Sequence, residues 1–128
     1  MKLVLLLASL VLVVGCGSAS NDAGSASPVY DITILYWPGG PGGEPLEATL
    51  TCDPDGGSHP DPAAACAALL ENEEALEPVA GDVACTEIYG GNQIARITGS
   101  GVQASFSREN GCEIARWEAL KPVLEIDS

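Results

Sequence analysis

Four cysteines constrain the fold of this chain more than any other feature of its sequence. Cys52 and Cys66 enclose a short segment rich in proline and glycine, and Cys85 and Cys112 enclose a longer one. In an oxidising compartment, four cysteines in a small domain predict two disulfides, for which three pairings exist. A structural zinc site is the alternative, but the chain has one histidine and no Cys-x-x-Cys spacing. We therefore expect two disulfides, no metal and no cofactor.

The N-terminus carries the pattern of an export signal. A single lysine is followed by an almost unbroken apolar run, which is shorter than the about 20 apolar residues that a membrane-spanning helix needs. Val13-Val14-Gly15-Cys16 resembles a bacterial lipobox, in which the cysteine is acylated and becomes the first residue of the mature chain. We expect residues 1–15 to be a lipoprotein signal peptide and Cys16 to be lipidated. An ordinary cleaved signal that happens to contain a cysteine is the alternative.

Residues 16–29 form the next segment, a lipidated cysteine and its tether. From Gly17 to Pro28 the chain is made of glycine, serine, alanine, asparagine and aspartate with one proline. Such a composition cannot bury a core and is typical of a flexible tether, which spans roughly 20 Å as a random coil. The predicted location is therefore the extracellular face of the cell membrane or the periplasm, with the membrane as a partner through the lipid anchor.

The remaining residues, 30–128, are enough for one domain. Hydrophobic alternation predicts strands, and Thr98–Gly101 between two of them is typical of a hairpin turn. Asp61 followed by Pro62 predicts a helix start, since aspartate caps a helix and proline fits its first position. Helices and antiparallel strands in this order predict an α+β fold with an antiparallel sheet of about five strands, two short helices and two disulfides. The predicted strands are Tyr30–Tyr36, Leu46–Cys52, Gln93–Ile97, Val102–Ser107 and Pro122–Ile126, and the second helix is Glu113–Leu120.

Composition and motifs disfavour several functional classes. The formal net charge of −13 argues against nucleic acid as a partner. No glycine-rich phosphate loop follows a strand, and no cysteine–histidine pair of catalytic type is present, so we do not expect an enzyme. His59 precedes a proline and is expected to be a structural turn residue. Arg108 and Arg116 either stabilise a loop or pair with nearby acids.

Short motifs surround the four cysteines in a specific order: Leu50-Thr51-Cys52, Ser58-His59-Pro60 before Ala65-Cys66, Asp82-Val83-x-Cys85, Ile88-Tyr89, and Asn110-x-Cys112-Glu113. Together they resemble the Streptomyces subtilisin inhibitor family, over roughly Tyr30 to Ile126. The resemblance implies sequential disulfides, Cys52–Cys66 and Cys85–Cys112. It also implies a five-stranded antiparallel sheet with two short helices. Relatives dimerise through their sheets, so a homodimer is an arrangement that the resemblance implies.

The resemblance also implies a function and a site. In that family, the residue two positions after the first cysteine of the second disulfide occupies the specificity pocket of a protease. This chain has Glu87 there, so the implied reactive bond is Glu87–Ile88. The implied function is inhibition of a serine endopeptidase, subtilisin-like or glutamyl, by a substrate-like loop. The other residues of the implied protease-binding loop are Ala84, Cys85, Thr86 and Tyr89.

The chain departs from the family pattern on both sides of this bond. Thr86 stands where the family commonly has proline, and Gly90-Gly91 follows where Asp-Pro is usual. Ordering a flexible backbone costs about 1–2 kcal/mol for each residue fixed. The two glycines are therefore expected to raise the ordering cost of the loop.

Glu87 is the largest departure, because a subtilisin pocket favours large apolar side chains. Burying an unpaired carboxylate there would cost several kcal/mol. Either the target is a glutamate-preferring serine protease with a basic group in its pocket, or inhibition is poor. The alternative is a non-inhibitory envelope lipoprotein that uses the same fold as a binding or structural module. A rigid, extended and exposed segment from Thr86 to Tyr89 favours the inhibitor, whereas a segment packed into the domain favours the module.

Overall fold

The computed structural model describes residues 29–127. The predictions of a signal peptide, a lipidated Cys16 and a tether therefore lie outside the described residues, except for Val29 at the end of the tether. Among the residues described, no helix has the length and apolar character to cross a bilayer. The elements in chain order are β1 (Tyr30–Trp37), β2 (Leu46–Cys52), α1 (Pro62–Glu71), a 3₁₀ helix (Glu73–Leu76), β3 (Ile94–Gly99), β4 (Val102–Phe106) and α2 (Gly111–Leu124).

The four strands form one antiparallel sheet in the order β2-β1-β3-β4. Side chains alternate between its faces, so one face is buried and the other meets solvent. The predicted α+β class, with two helices and an antiparallel sheet, is confirmed. At the predicted hairpin, Ser100 and Gly101 both have positive φ, of 49° and 75°. A two-residue turn of this kind matches the twist of the strands that it joins.

The two helices cover the inner face of the sheet. The Asp61 side chain accepts a hydrogen bond from the Ala64 amide at 3.2 Å, and Pro62 is the first helical residue, as predicted for the start of α1. Cys66 on α1 is bonded to Cys52 at the end of β2, with Cα atoms 5.6 Å apart. This disulfide ties the helix to an edge strand of the sheet.

The predicted final strand, Pro122–Ile126, is wrong, because α2 continues through Pro122 to Leu124 and the sheet has four strands. Trp117, Leu120 and Leu124 lie on one helical face and are fully buried. Burying such a side chain contributes about 1.5–3 kcal/mol. A proline in a helix interior costs about 3 kcal/mol, and Pro122 lies exposed on the outer side. The burial of the inner face therefore outweighs the local cost of the proline.

His59 connects the beginning of α1 to the end of α2. The side chain is only 6 % exposed. Its Nδ1 accepts a hydrogen bond from the Asp61 amide at 3.0 Å, and its Nε2 lies 3.1 Å from the Val123 carbonyl oxygen. Because an amide N–H can only donate, the ring proton lies on Nε2 and is donated to Val123. His59 therefore has a structural role in the turn before α1.

Replacing His59 with leucine tests this role. Leucine keeps an apolar volume in the site but leaves the Asp61 amide and the Val123 carbonyl without these partners. We expect the free energy of unfolding to fall by about 1–3 kcal/mol, measured by urea denaturation. His59→Gln, whose amide nitrogen can still donate, should lose less. Equal stability of His59→Leu and the parent chain would contradict the structural role.

Candidate functional site

An exposed loop, Ala84–Tyr89, lies between the 3₁₀ helix and β3 and has no regular secondary structure. Ile88 is 58 % exposed and Tyr89 is 65 % exposed, and Val83 just before the loop is 52 % exposed. Glu87 is also exposed. Neighbouring apolar side chains that stay in solvent commonly mark a surface that another molecule covers. The loop stands out from the domain instead of packing into it.

A disulfide holds the N-terminal side of the exposed loop. Cys85 is bonded to Cys112 in the first turn of α2, with Cα atoms 5.3 Å apart. Together with Cys52–Cys66, this bond confirms the sequential pairing. The loop is therefore covalently attached to the beginning of α2.

A main-chain hydrogen bond adds a second restraint one residue later. The Gly111 amide donates to the Thr86 carbonyl oxygen at 2.8 Å. Gly111 is the first residue of α2, where amides have no partner inside the helix and are free to bind other groups. A Cβ on Gly111 would overlap the Thr86 hydroxyl oxygen. Glycine therefore lets the loop approach the helix without a shift of the Thr86 side chain.

The C-terminal side of the exposed loop is held by the Gly90–Arg108 pair. The Gly90 amide donates to the Arg108 carbonyl oxygen at 2.7 Å. In return, Arg108 Nε donates to the Gly90 carbonyl oxygen at 3.0 Å. Both main-chain groups of Gly90 are thus bound by a single residue.

Gly90 and Gly91 are closely packed, whereas the sequence predicted two flexible residues that raise the ordering cost of the loop. A Cβ on Gly90 would lie 2.8 Å from Ile114 Cδ1 and 3.2 Å from Arg108 Nε. Gly91 has a φ of +132°, a conformation that side chains disfavour, and a Cβ there would overlap Gln93 Oε1. The glycines allow the chain to reach Arg108, so the ordering cost is offset by contacts that larger residues would prevent.

Between the two anchored ends, the tip of the loop is free. Within residues 29–127, the side chain of Glu87 makes no hydrogen bond or ion pair. The main-chain groups of Glu87, Ile88 and Tyr89 also have no hydrogen-bond partner in this part of the chain. These three residues therefore offer their main chain and side chains to another molecule.

Arg108 links the loop to the core through two further contacts. Its Nη1 lies 2.7 Å from Glu118 Oε1, and its guanidinium lies 5.8 Å from the centre of the Trp117 ring. The hydrogen bond from Arg108 holds the pKa of Glu118 below its usual value. Of the two roles considered for Arg108, stabilising a loop and pairing with an acid, it performs both. Arg116 has the second of these roles, since its Nη1 lies 2.8 Å from Glu113 Oε2.

One further group of potential ligands is present among residues 29–127. A sulfur of Cys52, a sulfur of Cys66 and a carboxylate oxygen of Asp55 lie within 4.8 Å of one another. The two sulfurs are bonded to each other. Metal ions bind thiolates, so a disulfide offers them no such ligand. This group is explained by the cross-link.

Gly90→Ala tests whether the Gly90–Arg108 pair depends on a missing side chain. The new methyl group would push against Ile114 and Arg108, and overpacking of this kind typically costs 1–3 kcal/mol. We expect urea denaturation to show a loss of about that size, and faster hydrogen exchange at the residue 90 amide. Gly81→Ala is the matched control, because a Cβ at Gly81 meets no atom within 4 Å. Equal effects of the two substitutions would contradict the packing argument.

Comparison with known families gives one match. The family model described as subtilisin inhibitor-like matches residues 41–110, more than half of the chain. The matched range includes the exposed loop, Gly90 and Arg108, and it ends just before α2. No curated protein matches the chain.

Proposed function

Because the chain belongs to the subtilisin inhibitor-like family, which is a family of protease inhibitors, we propose that it inhibits a serine endopeptidase through the exposed loop, with Glu87–Ile88 as the reactive bond. Members of this family are inhibitors and not enzymes. The observation that carries the proposal is the loop itself, which is held at Cys85, Thr86 and Gly90 and is free at its tip.

The free main chain of the tip suits the cleft of a protease. Proteases bind an extended peptide through main-chain hydrogen bonds, as in the addition of a strand to a sheet. The amides and carbonyls of Glu87, Ile88 and Tyr89 are unpaired within residues 29–127 and can make such bonds. A loop that is already held loses less entropy on binding, about 1–2 kcal/mol for each backbone residue that needs no further ordering.

The anchored ends also explain how a substrate-like loop would inhibit. The serine oxygen of the protease adds to the Glu87 carbonyl carbon, the bond to the Ile88 nitrogen breaks, and the nitrogen leaves with a proton as an amine. In a free peptide the amine diffuses away. Here it stays close to the ester, so the neutral amine can attack the ester, re-form the peptide bond and return the proton to the serine oxygen.

Glu87 defines the class of protease. An apolar pocket would bury its carboxylate without a partner, at a cost of several kcal/mol. A pocket that contains a basic group would bind the carboxylate through charge-assisted hydrogen bonds. The proposed target is therefore a glutamate-preferring serine endopeptidase.

Titration of the full chain, purified with both disulfides formed, tests this proposal. The parent chain should inhibit a glutamate-specific serine endopeptidase and should inhibit subtilisin weakly. Glu87→Met should weaken inhibition of the first enzyme by about a thousandfold, because the basic group in the pocket loses its carboxylate partner. The same variant should gain inhibition of subtilisin, because no charge has to be buried in the apolar pocket. Inhibition constants measured at equal ionic strength provide the comparison.

Glu47→Met is the matched control, since Glu47 is an exposed glutamate on β2, outside the loop. This variant should inhibit both enzymes as the parent chain does. Absence of inhibition by the parent chain and by Glu87→Met, or rapid cleavage after Glu87, would contradict the inhibitor proposal. The envelope-module alternative would then explain the fold.

We also propose that the chain is exported and attached to the membrane through an acylated Cys16, on the extracellular face or in the periplasm. The lipobox-like residues before Cys16 and the polar segment after it support this proposal. A tether of this length would keep the inhibitor close to the membrane, where it would meet proteases at the cell surface.

Cys16→Ser in a bacterial host tests the anchor. The parent chain should incorporate labelled fatty acid and sediment with membranes, whereas Cys16→Ser should do neither, because serine has no sulfur to acylate. Ser18→Ala, two residues later, is the matched control and should behave like the parent chain. Fatty-acid incorporation into Cys16→Ser at the parent level would exclude Cys16 as the lipidated residue.

A further inference from the structure

We infer that Arg108 is a positioning residue that decides whether the chain remains an inhibitor or is consumed as a substrate, by holding Gly90 on the leaving-group side of the Glu87–Ile88 bond. This inference rests on the proposed function and extends it to the step that follows cleavage. Re-forming the bond needs no further reactant, because the amine attacks the ester and the serine oxygen regains its proton. Consumption as a substrate takes one water molecule, which attacks the ester and releases the serine hydroxyl and the carboxyl group of Glu87.

The two sides of the proposed reactive bond are held by different kinds of interaction. On the acyl side, Cys85 is attached to α2 by a disulfide and the Thr86 carbonyl accepts from Gly111. On the amine side, the nearest restraint is the pair of hydrogen bonds between Gly90 and Arg108. The acyl side keeps its covalent attachment after cleavage, so the position of the new amine depends on Gly90.

Chain geometry shows how much this restraint matters. Two residues separate the Ile88 nitrogen from Gly90, a reach of about 7 Å for an extended chain. If Gly90 were released, the next anchor would be Ile94, where β3 pairs with Trp37. That span is six residues, or about 20 Å. The effective concentration of the amine near the ester would then fall roughly five- to twentyfold.

Arg108 is suited to this role because its own side chain is fixed. It is only 16 % exposed, and it donates to Glu118 through Nη1 while Nε donates to Gly90. The planar guanidinium has several donors in a rigid fork, which allows two partners to be bound at once. A lysine has a single flexible ammonium and could not reproduce this arrangement. The Trp117 ring supports the guanidinium at 5.8 Å.

The glycine at position 90 is the counterpart of Arg108. A Cβ there would lie 3.2 Å from Arg108 Nε, within the space that the guanidinium needs. The chain therefore lacks the stiff Asp-Pro expected in this family and has a small residue at the place where an arginine reaches the main chain. In this chain, side-chain hydrogen bonding takes over the ordering that a proline would supply.

Arg108→Met in the full chain, with both disulfides formed, tests the inference. Methionine keeps apolar contact with Trp117 and removes the side-chain bonds to the Gly90 carbonyl and to Glu118, while the main-chain bond from the Gly90 amide to residue 108 remains. Against a glutamate-specific serine endopeptidase, we expect net hydrolysis at Glu87–Ile88, followed by mass spectrometry, to be at least threefold faster, since one of the two bonds to Gly90 is lost. Purified chain cleaved at this bond should be rejoined by the enzyme at least threefold more slowly. The midpoint of thermal unfolding should change little, which separates positioning from a general loss of structure.

Arg96→Met is the matched control, because Arg96 also lies over a tryptophan, with its guanidinium 5.5 Å from the Trp37 ring, but on β3 and not beside the loop. The enzyme should hydrolyse and rejoin Arg96→Met at the same rates as the parent chain. If the parent chain inhibits and Arg108→Met is hydrolysed and rejoined like it, the inference is overturned while the proposed function stands. If the parent chain neither inhibits nor is cleaved at Glu87, both fail together.

Glu118→Gln provides a second test, in case Arg108→Met does not fold. This variant keeps the arginine and removes its anionic partner, so the guanidinium is held less firmly. We expect hydrolysis at Glu87–Ile88 to rise at least twofold and rejoining to slow by a similar factor. Parent rates in a folded Glu118→Gln, with Arg108→Met unfolded, would overturn the inference.

Discussion

The packing of α2 against the sheet is the interaction on which the functional region depends, because every restraint on the exposed loop ends on α2 or just before it. Trp117 and Leu120 of α2 are completely buried. The Trp117 ring lies 6.0 Å from the Tyr36 ring of β1, one of the two central strands of the sheet. Cys112, Gly111 and Arg108 then transfer this rigidity to the loop through a disulfide and hydrogen bonds. A loop without secondary structure thus gains order from a helix to which it does not belong.

The beginning of α2 divides its unpaired amides between the helix and the loop. Asn110 caps the helix by accepting a hydrogen bond from the Glu113 amide at 2.9 Å. The Gly111 amide stays available and donates to Thr86. At the beginning of α2, one free amide is thus capped by Asn110, and another holds the segment that leads to Glu87. A side chain at position 111 would force the Thr86 hydroxyl to move, since the two would overlap.

Local patterns predicted most of the fold, and the errors arose where distant contacts decide the outcome. The alternation in β1 and β2 and the cap at Asp61 are local signals, and the structure follows them. The predicted end of α2 at Leu120 is wrong, because the burial of Leu124 outweighs the local cost of Pro122 and the helix continues. Within the site, Gly111 and Ile114 were missed, since the importance of a glycine depends on what approaches it. The one signal for Gly111 in the sequence is Asn110, a residue type that caps helices, two positions before Cys112. The lipid anchor, the homodimer and the reactive bond itself stay predictions.

The exposed apolar side chains around Glu87 suggest why the loop keeps this form. Ile88 and Tyr89 are more than half exposed, although the domain buries similar residues elsewhere. Covering apolar surface contributes about 25 cal/mol for each Å² removed from water. That contribution is available to a partner only if the domain itself does not use it.

A loop that folded back onto the domain would gain this burial internally and would withdraw Glu87 from the surface. The restraints at Cys85, Thr86 and Gly90 prevent this by fixing the ends of the loop away from the core. The fold thus leaves this surface, together with the unpaired main chain of the tip, for a molecule that approaches from outside.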